Sequence, residues 1–253
     1  MSKIMNDKEL HSHCQNAIKH LDDVIREFYE SSNEKYRKRA MLISYWLLTY
    51  AKLIKSEDQF DSKSVYKLKR GTVIYADFGY RIGRELGGFH YAVVIDNSNS
   101  FNRDTVTVIP LSSKKEHSLI NRYNIDLGNC IYSKLYFKIE NLHDKLDKMI
   151  NELNIEIKKL EEDFNDTSRE KFLKRFEVAK KMHKTSEKWL ENIAKFKLGS
   201  IALIDQITTI SKMRICQPVT KDDPLYGIKL TSAELDEIDI GLKNLYFIEK
   251  NNT

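Results

Sequence analysis

Apolar residues recur at helical spacing in the N-terminal part of the chain. In residues 9–29 they are three or four positions apart, which is the period of one face of an α-helix: Ala17, Leu21, Val24, Ile25 and Phe28. The Ser31-Ser32-Asn33 tripeptide interrupts the pattern, and a second helical pattern covers residues 34–55. This second stretch is apolar around much of its circumference, which favours a buried helix, with a membrane-surface helix as an alternative. The pattern predicts a helical extension over residues 1–65.

From Tyr66 onward the pattern changes to alternating, β-branched positions, which is typical of strands. The predicted strands cover residues 73–78, 91–95, 105–111 and 124–126. They are short and separated by turn-rich stretches, which favours a small antiparallel barrel or curled sheet over βαβ units.

A long stretch then returns to helical spacing, with almost no glycine or proline between residues 134 and 195. Apolar positions step by four and three, as in the seam of a coiled coil: Leu135, Ile139, Leu142, Leu146, Met149, Leu153, Ile157, Leu160 and Phe164, then Phe172, Phe176, Ala179, Met182, Trp189, Ile193 and Phe196. A break at residues 165–168 predicts an antiparallel hairpin with arms roughly 40 Å long.

Strand-like sequence resumes at residues 198–206, so we interpret the hairpin as an insertion. The predicted domains are the helical extension, a barrel formed by residues 66–133 plus 197–253, and the hairpin at 134–196. A final helix is predicted at Ser232–Tyr246. The fold class is therefore α+β.

Composition narrows the classes of function. The formal net charge is +5 and the sequence pI about 8.8, which is compatible with a phosphate-rich partner without requiring one. The longest apolar stretch, residues 41–54, contains Lys52 and is too short to span a bilayer. The first ten residues lack a signal-peptide core, so we expect a cytoplasmic protein with no membrane association and with three free cysteines.

Four sequence segments resemble a known family. Residues 69–78 and 83–95 form a glycine-rich opening, residues 108–113 give a Val-Ile-Pro-Leu-Ser-Ser element, and residues 199–210 contain Asp-Gln-Ile-Thr-Thr-Ile. Together they resemble MazF/PemK toxins of type II toxin-antitoxin systems. The resemblance implies a small SH3-like barrel, a homodimer, metal-independent cleavage of single-stranded RNA without a cofactor, and control by an antitoxin protein. The sequence shows no carboxylate cluster suited to Mg²⁺, which fits that route.

The resemblance also implies candidate catalytic residues, and one of them departs from the family. Where the family has a catalytic Arg followed by Pro, this chain has His90 and Tyr91. A histidine can exchange a proton at neutral pH, so His90 is a candidate base or acid, or else a structural residue at the start of a strand. The cationic role would then fall to Arg84 or Arg81. The family's catalytic Thr corresponds best to Ser112, with Ser113 one position away.

Further residues are candidates for substrate binding, each with a structural alternative. Lys114 is a phosphate contact or part of a solvated loop, and Gln206 reads a base edge or lies at a strand edge. Gly87 and Gly88 allow RNA to approach the backbone or permit a tight turn. We therefore predict an endoribonuclease that works by metal-independent attack of the 2'-OH. The alternative is a catalytically altered barrel that acts as an RNA-binding or protein-interaction module, including one that binds a protein target.

Overall fold

The structure is a computed structural model that describes residues 5–162, 166–193, 197–221 and 223–248. These residues form five α-helices and seven β-strands. The helices are α1 (Asp7–Glu30), α2 (Glu34–Ser56), α3 (Cys130–Glu162), α4 (Asp166–Ile193) and α5 (Ser232–Tyr246). The strands are β1 (Val73–Asp77), β2 (Phe89–Val94), β3 (Thr105–Ser113), β4 (Asn124–Asp126), β5 (Ser200–Leu203), β6 (Thr208–Ser211) and β7 (Ile215–Gln217). The α+β class predicted from the sequence is confirmed.

All seven strands belong to one antiparallel sheet in the order β4-β5-β3-β2-β1-β7, with β6 also paired to β3. The long strand β3 organises the sheet. Its C-terminal end pairs with β5 and its N-terminal end pairs with β6, while β2 pairs with β3 along residues 108–111. Within the described residues β4 and β7 are the ends of the sheet and do not pair with each other. The predicted barrel is therefore not closed within the described residues, because no ladder joins its two end strands.

The two faces of the sheet bury separate apolar clusters, as the alternation of side chains in a strand requires. One cluster contains Leu68, Ile74, Ala76, Phe78, Ala92, Val94, Val106, Val108 and Ile210. The other includes Val73, Val93, Ile109, Leu111, Ala202 and Ile204, together with apolar residues from the hairpin and α5. Ile238 of α5 is completely buried in this second cluster.

The hairpin formed by α3 and α4 has two parts. Leu135, Ile139, Trp189 and Ile193 lie in the core of the sheet, whereas Leu146, Leu153 and Ala179 form a separate seam farther along the helices. The predicted seam positions Leu160, Phe164 and Phe196 lie outside the part of the chain whose side chains the structure describes. The predicted break at residues 165–168 falls at the start of α4, and residue 165 is likewise not described.

The chain divides into two compact units. The first comprises Met1–Phe60 with Gly79–Gly88, and the second comprises Asp61–Phe78 with Phe89–Thr253. In the first unit α1 begins with a capping box between Asn6 and Glu9, and α2 buries only Ala40 and Ile43. The predicted burial of α2 is therefore wrong in the main, because within this unit it packs against α1 on one side. No helix in the described parts is long and apolar enough to cross a membrane.

Candidate active site

His90 lies in β2, directly opposite Ala76 of β1. It shares the sheet face of Ala76 and Ala92, which belong to one of the two apolar clusters. Its imidazole is half-buried and meets the edge of the Phe78 ring, with 6.5 Å between ring centroids and 71° between ring planes. The ring thus lies at the rim of this cluster.

Ser112 lies near the end of β3, where it pairs with Ile201 of β5. On its other side β3 pairs with β2, and Tyr91 is opposite Leu111. Continuing this antiparallel register by one residue places His90 opposite Ser112. Directly opposed residues project from the same face, so this register predicts that the two catalytic candidates share one face of the sheet.

Ser113 and Lys114 are differently placed. Ser113 pairs with Ser200 of β5 and, by alternation, faces away from His90. Lys114 follows β3, donates its backbone N–H to the Gly199 carbonyl at 2.9 Å, and forms an ion pair with Asp126 of β4. The hydrogen bond from Lys114 holds the pKa of the Asp126 carboxyl below its ordinary value. The charge of Lys114 is therefore already compensated in part.

The sequence pattern predicted that Gln206 lies in a strand, and this prediction is wrong. Gln206 ends the short 3-10 turn Ile204–Gln206 between β5 and β6. The strands on either side of this turn pair with Leu111 and Val108 of β3. The turn therefore lies beside the middle of β3, between the partners of Val108 and Leu111.

The remaining candidates, Arg81, Arg84, Gly87 and Gly88, belong to the loop of the first unit. Arg84 is exposed, and Arg81 approaches Glu85 at 3.9 Å. The loop is tightly closed: Gly88 donates to the Gly79 carbonyl at 2.7 Å, and a Cβ on Gly87 would lie 2.6 Å from that same oxygen. A side chain at Gly87 is thus excluded by backbone contact, which favours the tight-turn interpretation of this glycine.

Sequence reasoning missed a row of aromatic rings on the opposite face of the sheet. Tyr75 lies between Phe89 and Tyr91, with centroid distances of 5.8 and 4.8 Å, and Phe89 is 55% exposed. Burial raises the pKa of Tyr91 to about 12, so its hydroxyl stays protonated at neutral pH. The signal was present in the sequence, because alternation in two paired strands places Tyr75, Phe89 and Tyr91 on one face.

Two further observations bear on the chemistry. Among the described residues, no group of three or more His, Cys, Asp or Glu side chains is arranged to hold a metal ion. Burial also raises the pKa of the Cys130 thiol to about 12, so this cysteine is not a thiolate nucleophile at neutral pH.

Comparison with known proteins assigns part of the chain to a family. Residues 69–140 match the family model described as the PemK-like, MazF-like toxin of type II toxin-antitoxin systems. The matched segment contains β1–β4 and the start of α3, and so includes His90, Ser112 and the glycine-rich loop. No curated protein matches the chain. The predicted resemblance is thus confirmed for residues 69–140, which match the PemK-like, MazF-like toxin model, whereas residues 199–210, the last of the resembling segments, lie outside the match.

Proposed function

We propose that this protein is a toxin-type endoribonuclease that cleaves single-stranded RNA by attack of a ribose 2'-OH, without a metal ion or cofactor. The observation that supports the proposal is the pairing of Tyr91 with Leu111 inside the family-matched segment, because extending this register by one residue sets His90 opposite Ser112. A proton-transfer group and a hydroxyl donor on neighbouring strands are what such a reaction needs within reach of one phosphate.

The proposed reaction forms one bond and breaks one bond at phosphorus. The 2'-oxygen loses its proton and attacks the adjacent phosphorus, and the bond to the 5'-oxygen breaks. The products are a 2',3'-cyclic phosphate and a 5'-OH, the latter formed when the leaving oxygen takes up a proton. As a base, His90 accepts the 2'-OH proton and water protonates the leaving 5'-oxygen; as an acid, His90 protonates the 5'-oxygen and water accepts the 2'-OH proton. In either case the Ser112 hydroxyl donates to a phosphoryl oxygen as negative charge develops.

The other candidate residues have supporting roles in this proposal. Arg84 is assigned to stabilise charge on the phosphorane, with Arg81 as the alternative cation. These assignments rest on the sequence: His90 replaces the family's arginine, and both arginines lie in the glycine-rich loop before it. That loop belongs to the first unit. Gly88, Ser113, Lys114 and Gln206 remain predicted substrate-binding residues, and the pairing of Lys114 with Asp126 means that RNA would have to compete with a carboxylate for its ammonium.

The proposal extends to architecture, partners and location. We assign the sheet to an open SH3-like barrel. On one side of β3, its C-terminal half pairs with β5 and its N-terminal half pairs with β6, as expected of a strongly bent strand that belongs to both halves of a barrel. The seam of Leu146, Leu153 and Ala179 supports an antiparallel coiled coil in the outer hairpin. The proposed partners are single-stranded RNA, a cognate antitoxin and a second copy of the chain, in the cytoplasm.

The proposal is tested by incubating long single-stranded RNA with purified protein in EDTA and identifying the product ends. We expect wild-type protein to give 2',3'-cyclic phosphate ends and His90→Ala to be slower by about 10²-fold or more. His183→Ala is the matched control, because His183 is an exposed histidine on α4 and the variant should cleave at the wild-type rate. Absence of cleavage by wild-type protein, or equal rates for wild type and His90→Ala, would contradict the assignment.

A protein-interaction module is the second candidate function, and the first unit provides the observation that favours it. None of the described residues of α1 is buried, although its apolar face carries Leu10, Ile18, Leu21 and Val24. An apolar helix face of this kind is typical of a surface that contacts another protein. Under this alternative the sheet is a scaffold and no RNA is cleaved.

A further inference from the structure

A cavity of about 530 Å³ lies between the two helices of the hairpin, and neither His90 nor Ser112 lines it. One side is formed by α3 and the other by α4, and the loop that follows β7 contributes Lys221. All of these elements belong to the second unit. The volume falls within the range of small-molecule sites in proteins.

The lining of the cavity is strongly cationic. Four lysines line it: Lys138 and Lys145 of α3, Lys181 of α4, and Lys221. None of the described lining residues is an aspartate or glutamate. Because the lysines come from three separate segments of the chain, the fold itself brings their positive charges together.

These lysines differ in what they already contact. The Lys138 ammonium donates to the carbonyls of Asp223, Pro224 and Tyr226 at 2.9–3.2 Å, which fixes its charge at the cavity wall. Within the described residues, no ion pair is formed by Lys145, Lys181 or Lys221, and all three are exposed. Their ammonium groups are available for an anion.

The rest of the lining is apolar or uncharged. Leu142, Met182 and Trp189 supply apolar surface, and Thr185 adds a hydroxyl. Trp189 is held from one side by the Lys138 ammonium, 5.4 Å from its ring centroid. An anion alone would leave this surface unused, whereas a phosphorylated molecule with a planar or apolar body would use both the lysines and the apolar wall.

We propose that this cavity binds a nucleotide phosphate, supplied by a free nucleotide or by the backbone of an RNA strand. Lysine ammoniums bind phosphate groups as point charges, and four of them around one cavity suit the several negative charges of a nucleotide phosphate. This inference stands apart from RNA cleavage: it concerns binding, and its test does not depend on turnover.

The test is calorimetric titration of the full chain with three probes at low and high salt: ATP, inorganic tripolyphosphate, and a short 2'-O-methyl oligoribonucleotide. The methylated strand has no free 2'-OH, so the proposed nuclease reaction cannot consume it. We expect at least one probe to bind, more weakly at high salt, and its Kd to rise about tenfold or more in the double variant Lys145→Glu/Lys181→Glu. Binding of ATP identifies a free nucleotide as the source, and binding of the oligonucleotide alone identifies an RNA strand.

The matched control is Lys148→Glu/Lys184→Glu, which changes the charge of the same two helices by the same amount at exposed lysines outside the cavity. It should bind as wild type does. Lys221→Glu, in a loop, provides a second test if the double variant unfolds, and it too should weaken binding. The proposal is overturned if no phosphorylated probe binds, if the control variant loses affinity equally, or if a poly-glutamate peptide binds more tightly than every phosphorylated probe.

Discussion

His90 and Ser112 each lie one residue beyond the last pair of the β2–β3 ladder, Tyr91 with Leu111, and this register predicts that they are opposite each other. Each lies on a strand that continues into a fully buried apolar cluster, with Ala92 following His90 and Val108 preceding Ser112 on the same face. Buried neighbours fix the register strongly, because a slip of one residue would exchange the two faces of the sheet. A histidine and a serine held in this way are positioned before any substrate binds.

Replacing the serine hydroxyls one at a time separates the two neighbouring candidates. We expect Ser112→Ala to lower RNA cleavage by about 10²-fold, since one donor to a developing oxyanion is lost. Ser112→Thr should retain most of the rate, because it keeps the hydroxyl. Ser113→Ala, on the opposite face of the strand, should lower the single-turnover rate less than Ser112→Ala does, because Ser113 is assigned to substrate binding and not to the phosphoryl oxygen. Single-turnover rates for the three variants measure this, and a larger loss in Ser113→Ala would assign the role to Ser113.

The sequence identifies these residues as candidates, but it does not show which of them lie close together in the fold. Strand alternation alone separates Ser112 from Ser113, yet it does not say which of them faces His90, because that depends on the pairing of β2 with β3. Gln206 was placed in a strand because Ile-x-Thr-Ile alternates, and the turn at Ile204–Gln206 carries no glycine or proline to mark it. The ion pair between Lys114 and Asp126 depends on the pairing of β4 with β5, which the sequence also does not reveal.

Among the elements, the hairpin is the one whose two parts differ most in their contacts. Leu135, Ile139, Trp189 and Ile193 complete the core of the sheet, and Arg175 in the outer part bridges Glu152 and Glu156 across the two helices. The hairpin interrupts the sequence of the sheet, yet the ends of its two helices that lie nearest the sheet are part of the sheet core. Its period was readable in the sequence, whereas its participation in the core was not.

Two deletions of different length should therefore behave differently. Replacing residues 150–178 with a short glycine-rich linker removes only outer seam residues, and we expect the shortened chain to fold. Removing residues 134–196 also removes four large core residues, each worth about 2–5 kcal/mol, against a total stability of about 5–15 kcal/mol. That chain should not fold. Near-UV circular dichroism distinguishes the outcomes, and a folded product of the longer deletion would show that the sheet does not need the hairpin.

The contact between α3 and α5 predicts a pH-dependent contribution to stability. Burial opposes ionisation of Glu234, but hydrogen bonds from the Thr231 backbone, Lys134 and Cys130, with the charge of Lys134, outweigh it and lower the pKa of Glu234. A carboxyl group with a lowered pKa stabilises the fold above its unfolded pKa and loses that contribution as the pH falls through the folded pKa. Lys134→Met should therefore destabilise the protein most at neutral pH.

The measurement is urea unfolding of wild type and Lys134→Met between pH 7 and pH 3. The difference in free energy of unfolding should shrink as the pH falls below about 4.5, the ordinary glutamate range. Lys148→Met is the control, because Lys148 is an exposed lysine of α3 with no ion pair among the described residues. A difference that stays constant with pH would mean that Lys134 acts through packing and not through Glu234.

The shortest elements were the hardest to predict. The strands 73–78, 91–95 and 105–111 have enough alternating residues to be recognised, and the structure places β1, β2 and β3 there. In contrast β7 has three residues, too few for a period, and is defined only by its pairing with β1. The start of α3 at Cys130 was also missed, because Ile131 directly follows the turn after β4 and continues the apolar character of the strands.

At the scale of the whole molecule, burial is distributed unevenly between the two units. All three apolar clusters consist of residues of the second unit. The helices of the first unit bury only Ala40 and Ile43 and carry many exposed apolar side chains. The hydrophobic contribution to stability is roughly proportional to the apolar area removed from water, so it resides mainly in the second unit.

This distribution predicts that a shortened chain beginning at Asp61 folds by itself. We expect one cooperative thermal transition, with Tm within about 4 °C of the main transition of the full chain, a shift that corresponds to about 1 kcal/mol for a domain of this size. Removing residues 232–253 instead is the contrasting control. It deletes α5 and with it Ile238, which is completely buried in the sheet core, so that chain should not unfold cooperatively. Differential scanning calorimetry of the three chains measures both effects. If the chain beginning at Asp61 fails to fold while the full chain melts in one transition, then the helical extension, despite burying so little, is an obligatory part of the folding unit.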